Sequence, residues 1–482
     1  MKSFRPIPLL AAVVSLALLG SSARAGDPSF TYVDLGTLGG PASVAMGLND
    51  SQQVVGWSHV TGCTVDGQPC RRAFLWENGV MTDLGLLSGD EGSIARAINE
   101  SGLIVGTSER DVVAGFGVYA GFSYESGTMT ALADLGTSGS TFAYDVSDAG
   151  VIVGSVPDPV TVRDTTAIWL AGAITNVGAT EPHSYSRGNG INENGLLVGL
   201  AWNLFSPNDA TLFDGVKWST IGGEAGPFQN AEAYDVNNSG VAVGLQAFPS
   251  GSWHPTIWTP GIPGGTDLGT LPGHDIGELF DVNDAGWAVG HTWLDIDPGT
   301  SRAVLFDGTT LHDLNDFLPE GSSVVLFEAR EVNENGDIVG TAVVDGFFRG
   351  FMMTLDGPWE DLGLGLAGIS GVPELIGTGA LEGGDPVTLT LTNAAASATT
   401  YFVLGAARID LPFKGGTLVP AISSPLGTYF VLQTNGAGEL TLPGTWPNGL
   451  PAGFDFFFQH WVADAAGPLG FAASNAVKAT TP

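Results

Sequence analysis

A short phrase, an Asn-bearing turn followed by a small apolar strand ending in Gly, recurs seven times at intervals of 45 to 50 residues. Its closing glycines are Gly56, Gly106, Gly154, Gly199, Gly244, Gly290 and Gly340. The Asn slot holds Asn49, Asn99, Ser147, Asn192, Asn237, Asn283 and Asn333. Three residues later stands Gly in every copy except the first, which has Gln52. A period of this size, filled with β-forming residues, marks a repeat architecture in which each unit is one small sheet.

The second copy displays the unit best. A strand over 93–98 leads into the Asn99-Glu100-Ser101-Gly102 turn, where Asn and Gly tolerate left-handed backbone. The apolar run Leu103-Ile104-Val105-Gly106 follows, then Gly121-Phe122-Ser123-Tyr124, then a strand running into Asp134-Leu135-Gly136. Six copies end the third strand in an aromatic (Trp76, Tyr124, Trp169, Phe213, Trp258, Phe306), and Met353 takes that place in the seventh. Seven four-stranded units predict an all-β fold, a seven-bladed β-propeller, with an open β-solenoid as the rival. An eighth Asp-Leu-Gly, Asp34-Leu35-Gly36, precedes the first Asn turn, and a surplus strand of this kind can close a ring. Glycine inside a strand needs a bulge or a crowding backbone to explain it. We place the glycine-closed strand nearest the axis, where sheets converge, and the aromatic strand farther out.

The units resemble the bacterial extracellular HAF repeats over roughly residues 31–363. The family pattern runs Asp-Leu-Gly, Ile-Asn-x-x-Gly-x-Val-Val-Gly, then His-Ala-Phe-Leu-Trp. The nearest matches to the last element are Arg72-Ala73-Phe74-Leu75-Trp76 and Arg302-Ala303-Val304-Leu305-Phe306. The name-giving His survives once, as His254, so no function that needs it in every blade applies here. The resemblance implies a secreted repeat protein and no particular reaction.

The chain begins with Lys2 and Arg5, an apolar run over residues 9–19 and Ala23-Arg24-Ala25, the pattern of a signal peptide cleaved near Ala25. The apolar run is too short for a comfortable membrane span. A secreted protein, extracellular or periplasmic, is therefore expected, without membrane insertion. The formal charge of −34 repels nucleic acid. Cys63 and Cys70 are the only cysteines, and in an oxidising compartment they should form a disulfide. The repeats end at Gly363. Residues 26–363 are assigned to the propeller, 364–371 to a linker and 372–482 to a small C-terminal β-sandwich with turns at Asn435-Gly436 and Asn448-Gly449. The segment from Phe454 to Trp461, with 470–476, resembles a C-terminal module attached to diverse secreted bacterial proteins, and its aromatics read as core.

Catalytic signatures of the Gly-x-Ser-x-Gly, His-Glu-x-x-His and phosphate-loop kinds are missing. With 50 acidic residues, counting carboxylate pairs decides nothing. Asp145, Asp235 and Asp281 stand two residues before their turns, with Asp284 nearby, and faintly resemble the calcium loops of other propellers. Gly47, Ala97 and Gly190 break that pattern, so these turns read as plain Asx turns and no cofactor is expected. His291, Trp293, Asp295 and Asp297 form the best local mixture of titratable and aromatic groups, in a segment read as a loop. His274-Asp275 and His312-Asp313 are weaker candidates. Variable segments such as 107–120 and 291–302 on a rigid ring suggest a non-enzymatic protein that binds an extracellular protein or glycan. A polysaccharide hydrolase or lyase using channel carboxylates is the alternative, and a structural envelope or matrix component the second one. The oligomeric state is not legible.

Overall fold

The computed structural model describes residues 30–481, apart from positions 66, 114–115, 138, 179–182, 205–206, 224–229, 250–251, 320, 356, 358, 380, 382, 424–425 and 452. Residues 1–29, which include the segment read as a signal peptide, lie outside the described residues. The chain forms two compact units, Phe30–Leu355 and the part that follows it.

Seven four-stranded antiparallel sheets make up the first unit. The first blade runs through Gly39–Leu48, Val54–Val65, Gln68–Glu77 and Val80–Asp83. The seventh takes Val325–Val332, Ile338–Val344 and Phe347–Leu355, and its fourth strand is Phe30–Asp34 from the other end of the unit. Phe30 pairs with Leu355 and Asp34 with Phe351, so the two ends of the unit share one sheet. The unit is a seven-bladed β-propeller closed by its N-terminal strand. Large apolar side chains fill the blades and the spaces between them, among them Trp76, Phe74, Phe122, Trp169, Trp258 and Phe351.

Two hydrogen-bonded circles explain the Asn turn. In six of the seven turns the Asn Nδ2 donates to the backbone carbonyl of the same slot in the next blade: Asn49 to Asn99, Asn99 to Ser147, Asn192 to Asn237, Asn237 to Asn283, Asn283 to Asn333, and Asn333 back to Asn49. The Oδ1 of the same side chain accepts N–H groups of its own turn, as Asn237 does from Ser239 and Val241. Only a side-chain amide offers acceptor and donor together at this reach. Ser147 accepts from Val151 but has no amide to pass on. One residue further along, each turn N–H donates to the side chain of its counterpart in the next blade. This second circle runs from Asp50 to Glu100, Asp148, Glu193, Asn238, Asp284, Glu334 and back to Asp50. Gln52, at φ 57°, adopts the turn that Gly takes elsewhere and reaches Asp337 of the seventh blade.

The glycine-closed strand is not the innermost one. First strands of successive blades touch one another around the whole ring, and the glycine strand lies one position outward. The crowding that excludes a side chain has another source. Every first strand carries a bulge, with register shifts at Ala45/Gly47, Ala95/Ala97, Ala143/Asp145, Gly188/Gly190, Ala233/Asp235, Leu279/Asp281 and Ala329/Glu331. The bulged strand presses a carbonyl onto the facing glycine. A Cβ on Gly154 would overlap the oxygen of Phe142, and one on Gly244 that of Glu232. A bulge makes two residues oppose one and re-aims side chains.

The second unit pairs Trp359–Asp361 with Val477–Thr480 at the edge of a larger sheet that includes Asp455–Ala463, Thr399–Gly405 and Thr428–Gln433. A three-stranded sheet of Glu374–Thr378, Pro386–Thr392 and Leu440–Thr445 accompanies it. Leu375, Leu389, Phe402, Trp446, Phe456 and Phe458 form the shared core of this small β-sandwich. The boundary expected at 363 thus moves back to 355, because the Asp361 strand pairs with Val477 and not with the seventh blade. The place it was expected to fill belongs to Asp34.

Candidate functional site

The bulges build the site. Along a regular strand neighbouring side chains point to opposite faces. Here the bulge residue and the one after it both reach the axial channel. The seven bulge residues (Met46, Arg96, Tyr144, Asn189, Tyr234, Phe280 and Arg330) line a cavity of about 290 Å³ together with Asp145, Asp235, Asp281 and Glu331. The same four acids line a second cavity, of about 240 Å³, that contains the turn circle of Asp50, Glu100, Asp148, Glu193, Asp284 and Glu334. They therefore occupy the waist of the channel, with an acidic mouth on the turn side and an arginine- and aromatic-bearing mouth on the other.

Each waist carboxyl accepts a backbone N–H from the following blade: Asp145 from Ile191, Asp235 from Val282, Asp281 from Val332 and Glu331 from Leu48. These bonds favour the ionised form, yet burial outweighs them. Burial pushes Asp145 up to about 7, with the charge of Asp235 adding to it. Burial, then the charge of Glu331, lifts Asp281 to about 8. Asp235 is held well above the carboxylate range by burial and by Asp281, and Glu331 by burial and by Asp145 and Asp235. The Asp235 and Asp281 side chains influence each other directly, an interaction that raises Asp235 and lowers Asp281. The two carboxyls titrate as a unit.

At the bulge-side mouth, Arg187 pairs with Glu232 at 2.7 Å and Arg330 with Glu328 at 2.7 Å, while Arg330 also lies 4.0 Å from the centre of the Phe280 ring. Arg96 stacks 5.2 Å from the Tyr144 ring. Burial and the nearby Arg330 and Arg187 lower its pKa. Tyr234 donates to Glu278 at 2.8 Å and, buried beside that carboxylate, is held above the usual phenol range.

The sequence-derived candidates divide. His291 contacts Glu278 at 3.0 Å and Ser301 at 2.9 Å, and its ring lies 4.5 Å from Trp293 and 5.4 Å from Phe280, so it backs the channel mouth without lining it. Asp295 and Asp297 are exposed, at the tip of a hairpin formed by Ala288–Leu294 and Asp297–Phe306. The segments read as loops extend paired strands instead, Ala288–Leu294 with Asp297–Phe306 and Ile104–Val113 with Phe116–Glu125. His274, His312 and Asp313 share an outer cavity of about 600 Å³, where His312 bonds Asp307 and His274 bonds Thr292. Asp145, Asp235 and Asp281 lie on inner strands and face the channel, not in cation-binding turns. Among the described residues no group of three or more His, Cys, Asp or Glu has metal-ligating geometry. Glu331 was missed because the pattern sought was Asp. Aligning the slot across copies (Gly47, Ala97, Asp145, Gly190, Asp235, Asp281, Glu331) would have found it. Cys63 and Cys70 form the disulfide, Cα to Cα 5.4 Å.

No protein-family model matches the chain, and no curated protein is similar to it in sequence. Solved structures align with it at low identity. The β-propeller domain of the Trilobed protease from Pyrococcus furiosus is 9% identical, with 57% of this chain and 83% of that one covered and a TM-score of 0.38. A puromycin-hydrolyzing peptidase of Mycobacterium tuberculosis is 12% identical, with 77% and 61% covered and a TM-score of 0.42; the chain thus spans about three fifths of that peptidase. The Trypanosoma rangeli sialidase is 8% identical, with 84% and 93% covered and a TM-score of 0.33. These solved structures are a propeller domain of a protease, a peptidase and a sialidase, none of them a non-enzymatic binding or scaffold protein, so that expectation is not carried forward; likenesses this weak say nothing of what this chain does. What this chain itself would catalyse has to come from its own residues.

Proposed function

We propose that this protein is a hydrolase acting outside the cytoplasm on a polysaccharide, with acid–base chemistry carried by the waist carboxyls. The observation that carries the reading is the group of four carboxyls, Asp145, Asp235, Asp281 and Glu331, that line both channel cavities, all raised by burial and mutual repulsion. Hydrolysis of a glycosidic bond needs one carboxyl that still holds its proton and another that has lost it. Environments that push neighbouring carboxyls apart supply both at one pH. Within the group, a carboxyl that holds its proton would protonate the leaving oxygen and an ionised one on the other side of the bond would take a proton from water. A cavity of about 290 Å³ suits one sugar ring, which favours attack at chain ends. The Cys63–Cys70 disulfide supports an oxidising compartment.

The test is turnover of a panel of polysaccharides by the full chain, compared with Asp235→Asn and Asp281→Asn, each checked for folding by its melting transition. Loss of at least 100-fold in kcat for both variants, with folding intact, is expected on the general acid–base scale. Turnover that survives both, or none on any polysaccharide, sinks the proposal. An unsaturated, ultraviolet-absorbing product would assign a lyase instead.

A further inference from the structure

The mouth opposite the turns has a charge arrangement that the waist chemistry does not use. Three guanidinium groups, Arg96, Arg187 and Arg330, line one cavity, near enough for Arg187 and Arg330 to depress Arg96. Arg187 and Arg330 each have a glutamate at 2.7 Å. Arg96 forms no ion pair among the described residues, and Glu109, whose charge favours it, is engaged by Arg71; Tyr144 stacks against Arg96, whose Nε is buried without a hydrogen-bond partner. The Nε atoms of Arg187 and Arg330 are likewise buried and unpartnered.

A half-buried guanidinium without a paired anion is costly, and repulsion from two like charges adds to the cost. The waist carboxyls do not offset it, since their strongest electrostatic influences are one another. In a chain of net charge −34, three arginines have been drawn into one cavity, and the one with donors to spare is Arg96. Arginine presents its donors in a planar fork that matches an oxyanion.

We infer that this mouth is an anion subsite in which Arg96, flanked by Arg187 and Arg330, grips a carboxylate or sulfate group of an acidic glycan while the rings of Tyr144 and Phe280 wall the sugar. The inference rests on the hydrolase reading for its glycan, and deepens it: the substrate is an acidic polysaccharide, entering anionic group first from the bulge side.

Binding of three probes to the full chain separates the sources of the anion: an oligogalacturonate, a sulfated galacto-oligosaccharide and its neutral counterpart, each measured by titration calorimetry. At least one anionic probe should bind ten-fold or more tightly than the neutral one, and the difference should shrink with added salt. Arg96→Gln should abolish that preference, and Arg96→Lys should keep part of it, with melting transitions confirming that both variants fold. Whichever anionic probe wins names carboxylate or sulfate. Equal binding of all three probes, binding of none, or a preference untouched by Arg96→Gln overturns the inference. Binding is scored apart from turnover. An Arg96-dependent preference that persists in Asp281→Asn supports the subsite even where hydrolysis is not found. A neutral glycan that is hydrolysed without anion preference removes the subsite and leaves the hydrolase.

Discussion

The most informative perturbation is Asp281→Asn, because its effect on stability should change with pH. In the folded protein the Asp281 carboxyl is pushed up to about 8 from an ordinary value of 3.8. Between those values the folded state holds a proton that the unfolded chain has released. A raised carboxyl therefore costs nothing well below pH 4, and its cost grows as pH climbs toward 8. At 1.36 kcal/mol per pH unit, the penalty is about 5 kcal/mol at pH 8 and about 2 kcal/mol at pH 5. Asp281 is partly open to the channel and coupled to Asp235, so about half of that difference, ~1.5–2 kcal/mol, is a fair expectation.

Asparagine keeps an oxygen for the Val332 N–H and an N–H for Asp235, yet cannot ionise. The variant should gain that ~1.5–2 kcal/mol more at pH 8 than at pH 5, seen in calorimetry as a propeller transition raised by about 2–3 °C more at the higher pH. The same variant should be inactive. Gain in stability with loss of turnover is the mark of a carboxyl kept for chemistry. A gain of equal size at both pH values, or destabilisation at both, would refute the reasoning.

Four further outcomes follow from the same structure. Gly154→Ala places a methyl group on the Phe142 carbonyl and should destabilise the propeller by about 3 kcal/mol or prevent folding, against near-neutrality at the open Gly172, if Asn rather than Ala is used there, in chemical denaturation. Asn237→Ala removes the bond to Asn283 and orphans the Ser239 and Val241 N–H groups, costing about 2–4 kcal/mol by the same assay. His460 lies buried in the C-terminal unit with its pKa lowered to about 3 by burial, so the unfolded chain takes up its proton first. That unit should lose stability as pH falls from about 6.5 toward 3, and scans at pH 4 and 6.5 should reveal the shift, absent in His460→Gln. Turnover should rise as pH climbs through 7 to 8, where Asp145 and Asp281 ionise, and pH–rate profiles on any hydrolysed glycan check it.

The ring was legible in the sequence because backbone demands repeat. Asn is needed wherever one side chain must bridge two blades, and Gly wherever a carbonyl crowds a strand, so both recur with the period. Ring closure was half visible: the Asp34 strand stood out as surplus, but only pairing shows that it completes the seventh blade and releases the Asp361 strand. The site was hidden for a physical reason. Its residues sit at a bulge, where alternation fails, so neither Arg96 nor Asp145 reads as channel-facing from a period of two. The slots also vary from blade to blade, Arg96 against Met46 and Tyr144, and a search for repeated residues passes over them.

That variation is itself evidence of use. Seven blades offer the waist seven equivalent slots, and carboxyls fill the third, fifth, sixth and seventh while Gly47, Ala97 and Gly190 leave space in the others. A purely structural need, an acceptor for the next blade's N–H, would be met by asparagine without the repulsion that four enclosed acids create. The turn circle makes the contrast inside the same molecule: Asn238 takes the place held by carboxylates in its neighbours and still accepts the Glu193 N–H. Where an amide suffices the chain uses one. At the waist it keeps groups that can give and take a proton, beside empty slots that leave room for something to receive it.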